Sequence, residues 1–296
     1  MKQKIYKLKS NTLSRFLIGI ACRNQNDSIA GLFVNTDPYD SIMCRETEFQ
    51  AKKIELLINQ GYENEILKIA NVYQQKQNLS IFQSVQEIVK YIKSLKEDEA
   101  SKFTRISGLN KLSPKGWHEG EKHNIMANIQ RDFIKNGGKR GKEYAITALA
   151  LYNLEIAIIE SSKTDSYWGV KAEYVSKIGK GANELGTIHT IIGKELKEAA
   201  KDISTGKFIY NGIELDLELV EKKQKEIEQA RSDEKLNLMN IKYNHDKFNT
   251  IEIFPIKKYR NRTQQQTQYY NTNSTSLAPS LTPNYTPKNK AHIRYQ

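Results

Sequence analysis

The hydrophobic positions of the chain predict helices over most of its length. Between Arg45 and Asn59 the apolar residues recur at helical spacing, and Gly61 follows as a stop. The same period predicts further helices over residues 64–75, 82–96, 119–136, 140–160 and 186–201, and a long charged helix over 216–240. The chain is therefore expected to be helix-dominated.

Strand signals are confined to two places. Residues 12–22 and 29–34 are short apolar runs on either side of a polar turn at 24–27, so we expect a hairpin there. A second hairpin is expected over 207–215, around the two-residue turn Asn211-Gly212. The predicted fold class is mainly α with a minor β component (α+β).

Length and composition set outer bounds. The chain has 296 residues, of which 38% are hydrophobic, enough for one large or two ordinary domains. No run approaches the roughly 20 apolar residues of a membrane span, and no apolar signal segment precedes a cleavage site. Neither Cys22 nor Cys44 belongs to a CxxC pair. We therefore expect a cytoplasmic protein without membrane association.

Positive charge is concentrated at the C-terminal end. The net charge is +12, and seven lysines and arginines but no acidic residue follow Glu252. Residues 258–296 are rich in Gln, Asn, Ser, Thr and Tyr, which predicts a disordered tail. Such a tail suits contacts with the phosphates and bases of nucleic acid, and a solubilising tail without a partner is the alternative.

The most specific pattern of the chain lies between Asp165 and Gly186. After Gly179-x-Gly181 the next glycine is Gly186, two positions too late for the dinucleotide pattern GxGxxG. No lysine follows Gly186 as the Walker A pattern requires. The spacing therefore excludes both common phosphate loops.

A polar stripe marks the helix predicted from Arg45 to Asn59. Glu46, Gln50 and Lys53 stand at i, i+4 and i+7, so they project from one face. A carboxylate, an amide and an ammonium in this arrangement suit acid-base or nucleophilic chemistry. An ordinary solvated face is the alternative interpretation of the same spacing.

Two other chemistries are not indicated. His118-Glu119 is followed by His123, one residue later than the zinc motif HExxH requires, which turns the second histidine by about 100° around a helix. No GxSxG sequence of a serine hydrolase occurs. We expect no metal and no cofactor.

Taken together, these segments resemble the NADAR (YbiA-like) family. The residues Asp165 to Gly169 and 179–186 are similar to its closing FWG element and G-x-G-x-N-x-L-G loop. Glu46, Phe49, Gln50, Ala51 and Lys53 match its element E-H-A-Y-Q-A-x-K, with Phe for Tyr. Residues 13–16 and 116–126 are similar to its L-S-N-F and D-W-x-x-x-K-x-x-x-M regions, whereas Arg15, Ile42 and Thr47 depart from the pattern.

The resemblance implies a set of site residues. Glu46 would stabilise charge and transfer protons, Lys53 would attack as a nucleophile, and Asp165 would assist. Substrate contacts would come from aromatic, polar and glycine positions that match the family: Ser14, Phe16, Phe49, Gln50, Trp117, Trp168, Gly169, Gly179, Gly181, Asn183 and Gly186. Without the family, the core is the usual place for both tryptophans.

The implied activity is that of an N-glycosidase, a hydrolase that cleaves the bond between ribose C1 and a base nitrogen. Its expected substrate is ADP-ribosylated guanine in nucleic acid or nucleotides. Phosphoribosylated intermediates of riboflavin synthesis are the alternative substrates, and a non-catalytic module that binds ADP-ribose or nucleic acid is the alternative function.

The resemblance also suggests a division of the chain. Residues 1–200 would form the catalytic domain, with residues 62–103 as an inserted helical pair. Residues 201–257 would form a charged helical extension, and residues 258–296 the disordered basic tail.

Overall fold

The structure is a computed structural model that describes residues 16–22, 27–38, 40–162, 165, 167–171, 179–203, 206–244 and 250–255. Internal contacts group Met1–Ile256 as one unit. The predicted tail lies outside the described residues. Within the described residues, no helix has both the length and the apolar character needed to cross a membrane.

The fold class is mainly α with a minor β component, as the sequence predicts. The helices are α1 (Arg45–Asn59), α2 (Glu63–Lys76), α3 (Val85–Ser94), α4 (Glu99–Ser107), α5 (Lys122–Asn136), α6 (Gly138–Asn153), α7 (Glu184–Ala199) and α8 (Leu217–Ser232). The strands are β1 (Ile18–Cys22), β2 (Ile156–Ser162), β3 (Val170–Lys171), β4 (Gly179–Gly181), β5 (Lys207–Tyr210), β6 (Ile213–Asp216), β7 (Leu238–Asn244) and β8 (Thr250–Pro255).

Helix α1 has the predicted bounds and is held at its start by a buried ion pair. The Arg45 guanidinium, fully buried, donates to both carboxylate oxygens of Asp37 at 2.8 Å. The Arg45 backbone N–H also donates to Asp37 at 3.0 Å, which caps the helix. Gly61, at a φ of 84°, follows the helix end. The first turn of α1, with Glu46, is thereby fixed.

The predicted insertion over residues 62–103 contains more helix than a pair. Three helices, α2, α3 and α4, follow α1, and the last extends to Ser107. They pack against α1 around an apolar cluster of buried side chains: Ala51, Ile54, Leu57, Ile66, Ala70, Val85, Ile88, Ile92, Ala100, Phe103 and Leu109. Helix α1 is therefore covered on one side by α2, α3 and α4.

The main sheet closes on itself in the order β1-β2-β3-β4-β8-β7. Strands β1 and β2 are parallel, with Ile18 opposite Ile156 and Cys22 opposite Glu160. Strand β1 also pairs antiparallel with β7. Strands β7 and β8 come from residues 238–255, within the segment 201–257 that is expected to form a separate extension. This segment therefore contributes strands to the same sheet as β1.

Strand β2 corrects the prediction of one helix over residues 140–160. Helix α6 ends at Asn153, and residues 156–162 are extended. Ile156 and Ile158 face the helical core, whereas Ala157 and Ile159 face the interior of the closed sheet. A parallel strand buried on both faces has a continuous apolar sequence, which periodicity alone cannot distinguish from a buried helix.

The predicted N-terminal hairpin is wrong in its second strand. Residues Ala30–Phe33 form a 3-10 helix, and β1 pairs with β2 and β7. The Asp27 carboxylate accepts hydrogen bonds from the N–H groups of Ile29 and Ala30 at 2.9 and 2.8 Å. This side-chain turn starts the helical conformation and competes with an extended backbone.

Two predictions near the C-terminal end have different outcomes. The hairpin around Asn211-Gly212 is confirmed as β5 and β6, with Tyr210 opposite Ile213. The helix predicted over residues 216–240 ends at Ser232, and β7 begins at Leu238.

Candidate functional site

The polar stripe of α1 is present and lies beside α4. The Gln50 amide donates to the Glu46 carboxylate at 2.8 Å. The Thr104 hydroxyl on α4 in turn donates to the Gln50 carbonyl oxygen at 3.2 Å. The amide is therefore fixed from both sides, and it holds Glu46, which is partly exposed, in one orientation.

Lys53 has the most unusual environment of the stripe. Only 7% of this residue is exposed, and its Nζ donates to the backbone carbonyl of Asn110 at 2.9 Å. The same Nζ lies 5.5 Å from the centre of the Trp117 ring. No carboxylate of the described residues forms an ion pair with it. Burial lowers the pKa of Lys53 to about 8, so about a tenth of it is a neutral amine at pH 7 and about half at pH 8.

An aromatic cluster borders the stripe. Phe49, one turn from Lys53, lies 5.4 Å from Trp117 and 5.6 Å from Trp168 between ring centres. Phe49 and Trp117 are buried, whereas Trp168 is partly exposed. The three rings join α1, the short π-helical segment Trp117–Glu121 and the loop after β2. Trp168 offers a flat surface to a ligand.

The loop after β2 is organised by Asp165. Its carboxylate accepts hydrogen bonds from the N–H groups of Tyr167 and Trp168 at 2.8 and 3.0 Å. Its charge also acts on Glu46, whose pKa is raised by burial and by the charges of Asp98 and Asp165, against the opposing hydrogen bond from Gln50. The candidate residues Glu46 and Asp165 therefore share one electrostatic environment.

A third carboxyl group, Glu160, belongs to this environment and was not predicted from the sequence. It ends the apolar run of β2, and its Oε2 is buried without a hydrogen-bond partner among the described residues. Burial raises the pKa of Glu160 to about 8, the Arg45 charge opposes this, and Asp165 and Glu46 reinforce it. The signal that could have identified it is a single carboxylate at the end of a buried strand.

The glycines of the motif allow close approach to β2. A Cβ on Gly169 would stand 2.6 Å from the carbonyl oxygen of Glu160, and a Cβ on Gly186 would stand 2.2 Å from that of Ile158. Gly179 and Gly181 lie in β4, opposite Ile253 and Ile251 of β8. These contacts assign the glycines to backbone packing and strand pairing.

Asn183, expected to contact substrate, is occupied by the sheet. Its Oδ1 accepts the Glu160 N–H at 2.9 Å, and its Nδ2 donates to the Ile158 carbonyl at 3.0 Å. The residue is 5% exposed and has a φ of 51°. Asn183 therefore positions β2 and Glu160 from behind the site.

The start of α7 is not open to a phosphate. The N–H groups of Asn183, Glu184 and Leu185 donate to the backbone carbonyls of residues 169, 167 and 168 at 3.0 to 3.3 Å. These are the donors that a helix start would otherwise present to an anion. The substrate contacts expected from this loop are therefore not made by the N–H groups of residues 183–185.

Of the two remaining predicted residues, the structure describes Phe16. Phe16 is fully buried in the closed sheet, 5.6 Å from the Tyr152 ring. This placement makes Phe16 a core residue and not a substrate contact. Ser14 lies outside the described residues.

His123 belongs to a buried polar network on the other side of Trp168. Its Nε2 lies 2.9 Å from the Glu184 carboxylate and 2.7 Å from the Tyr167 hydroxyl. The Lys122 Nζ lies 3.3 Å from the centre of the Tyr167 ring. His118 is exposed on the surface. The network anchors Tyr167, and through it the loop that carries Asp165 and Trp168.

A surface cavity of about 420 Å³ lies elsewhere, at the C-terminal end of α7. Its lining includes Lys197, Glu198 and Lys201, and none of the candidate residues. Because α7 spans 16 residues, this cavity is about 20 Å from the helix start beside Trp168. It is not part of the candidate site.

The arrangement places three carboxyl groups in one electrostatic environment, and the partly neutral amine of Lys53 lies beside Trp117 in the aromatic cluster that also includes Trp168. These groups can supply a nucleophile, proton transfer and a platform for a planar ring. In comparisons with known proteins, no family model, no curated protein and no solved structure matched the chain.

Proposed function

We propose that the chain is an N-glycosidase that releases ADP-ribose from guanine in nucleic acid or nucleotides. The observation that carries this proposal is the buried amine of Lys53, on the same helix face as Glu46 and beside Trp117. An amine with a pKa of about 8 is an available nucleophile near neutral pH.

The reaction makes specific demands on the site. As the bond from ribose C1 to nitrogen breaks, positive charge develops at C1. Glu46 is suited to stabilise this charge, because its carboxylate is fixed by Gln50. The neutral amine of Lys53 then attacks C1, and the opened sugar is held as a Schiff base until water releases it. A protonated Lys53 would repel the same charge, so its lowered pKa is part of the proposal.

Two further features support a nucleotide-like substrate. Trp168 is partly exposed and borders the stripe, which suits stacking on a base. The seven positive charges after Glu252 favour a polyanion such as DNA or RNA. Both features bear on the substrate and neither bears on the bond that is cleaved.

The test is release of ADP-ribose from an oligonucleotide that carries ADP-ribosylated guanine, measured with the purified full chain. Lys53→Ala should lower the rate at least 100-fold, and borohydride should trap a covalent adduct on the unsubstituted protein only. Lys52→Ala is the matched control, because Lys52 is its exposed neighbour on α1 and pairs with Glu55. Full activity in Lys53→Ala would contradict the nucleophilic role.

Other outcomes favour the alternatives. If the protein releases nothing from the oligonucleotide but releases the base from a phosphoribosylated riboflavin precursor, its substrates are small molecules. Binding of ADP-ribose without turnover of either substrate would instead indicate a binding module.

A further inference from the structure

Glu160 occupies a defined position at the edge of the main sheet. It lies at the carboxyl end of the parallel pair β1 and β2, opposite Cys22. Ligands of sheets with parallel strands commonly bind beyond the carboxyl ends of those strands. Alternation along β2 places the Glu160 side chain on the same face as Ile156 and Ile158, which face the helices.

The backbone around Glu160 is held in place. Asn183 accepts the Glu160 N–H at 2.9 Å, and the next residue, Ser161, is paired with Val170 of β3. A Cβ on Gly169 would stand 3.2 Å from the Glu160 Cγ, so the side chain lies directly beside the loop of Asp165 and Trp168. The residue as a whole is partly exposed, although its Oε2 is buried.

The charges around Glu160 favour its neutral form. Asp165 in the loop and Glu46 on α1 are acidic, and Cys22 on β1 is a buried thiol. Glu184 on α7 is paired with His123. The one cation that acts on Glu160 among its described neighbours, Arg45, is already bonded to Asp37. A buried carboxylate oxygen without a donor is costly, and protonation reduces that cost because it removes the charge.

We infer that Glu160 is the general acid of the site and protonates the leaving base. The inference rests on the proposed function. The Glu160 proton moves to the guanine nitrogen, and the electron pair of the bond to C1 goes to the same nitrogen. Glu160 becomes a carboxylate and regains its proton from solvent. Lys53 supplies the new bond at C1, and the proton that its amine releases passes to solvent.

This division of roles predicts a particular pH profile. Lys53 must be neutral, so the rate rises with pH up to about 8. Glu160 must be protonated, so the rate falls with pH above about 8. The profile is therefore a narrow bell centred near pH 8, with both limbs assigned to named residues.

The experiment compares the unsubstituted chain with Glu160→Gln and Glu160→Asp on the ADP-ribosylated oligonucleotide from pH 5 to 10. Glu160→Gln should lower the rate at pH 7 at least 100-fold and remove the falling limb. Glu160→Asp should restore a falling limb, which a purely structural role would not do. Glu119→Gln, which alters an exposed carboxylate, is the matched control.

A second measurement is independent of turnover. Infrared spectra at pH 7 should show a protonated carboxyl band in the unsubstituted chain that is missing from Glu160→Gln. If the unsubstituted chain lacks this band, the inference is overturned and the proposed function is not. The same holds if Glu160→Gln keeps both the rate and the falling limb of the unsubstituted chain. An unsubstituted chain that releases no ADP-ribose at any pH would overturn the proposed function and, with it, this role of Glu160.

Discussion

Asn183 holds Glu160 and Ile158 at once, because its amide bonds the backbone N–H of one and the backbone carbonyl of the other at 2.9 and 3.0 Å. The amide thereby fixes the distance between the start of α7 and strand β2. Only a side chain with one donor and one acceptor can make both bonds in this geometry.

Asn183→Ala should destabilise the protein by about 3 kcal/mol. Two buried hydrogen bonds are lost, the β2 groups remain without partners, and alanine is strained at a positive φ. Urea unfolding measures the change in free energy of unfolding. The matched control is Asn78→Ala, because Asn78 has a φ of 54° but is exposed, so about 1 kcal/mol is expected. Equal losses would show that the β2 bonds contribute nothing.

Gly186→Ala should lower the free energy of unfolding by more than the conformational cost of replacing a glycine. The new methyl group would stand 2.2 Å from the Ile158 carbonyl oxygen, a backbone atom that cannot move independently of β2. We expect a loss of about 3 kcal/mol, as in overpacked cores. Gly61→Ala is the comparison, because Gly61 has a φ of 84° and nothing within 4 Å, so only the conformational cost of about 1 kcal/mol applies. A loss no larger than that of Gly61→Ala would refute the close contact.

The sequence predicts helix α1 and its stripe well, because both depend on local spacing. The apolar period and Gly61 set the bounds, and i, i+4 and i+7 spacing places Glu46, Gln50 and Lys53 on one face. The partner atoms of this stripe could not be predicted in the same way. Asn110 and Thr104 are distant from it in sequence and reach it because the residues that follow α1 pack back against that helix.

Strand β2 explains most of what was missed. Because its apolar run resembles the end of a helix, Glu160 had no special position in the sequence. The backbone of the same strand also determines the roles of Gly169, Asn183 and Gly186. None of these three residues is adjacent to β2 in the sequence. Local pattern therefore singled out residues 165–186, and strand β2 determines what Gly169, Asn183 and Gly186 contact.

Glu160→Gln should change how stability depends on pH. The pKa of Glu160 is raised in the folded state, to about 8, whereas the unfolded chain titrates near 4.5. The contribution of Glu160 to the free energy of unfolding is fully present below about pH 4.5. It is lost as the pH rises towards 8, by at most about 1.4 kcal/mol per pH unit. Glutamine does not titrate, so the free energy of unfolding of the variant should decline less between pH 5 and 8. An identical decline in both proteins would show that Glu160 is not protonated at neutral pH.

Lys53→Met should stabilise the folded protein at neutral pH while removing its proposed nucleophile. Below about pH 8 Lys53 is protonated in the folded and unfolded chains, and burial of the ammonium costs about 3 kcal/mol. Loss of the bond to Asn110 offsets about 1 kcal/mol of the gain. We expect a net gain of about 1–2 kcal/mol in urea unfolding at pH 7.

The sign of this effect can be checked with pH. As the pH rises from about 8 to 10.5, the folded state releases the Lys53 proton before the unfolded chain does, so the cost of burial disappears. The advantage of Lys53→Met should therefore shrink above pH 8, whereas the exposed neighbour in Lys52→Met should show less than about 0.5 kcal/mol of change at pH 7. An advantage that stays constant up to pH 10 would mean that side-chain packing, and not a buried ammonium, separates the two proteins.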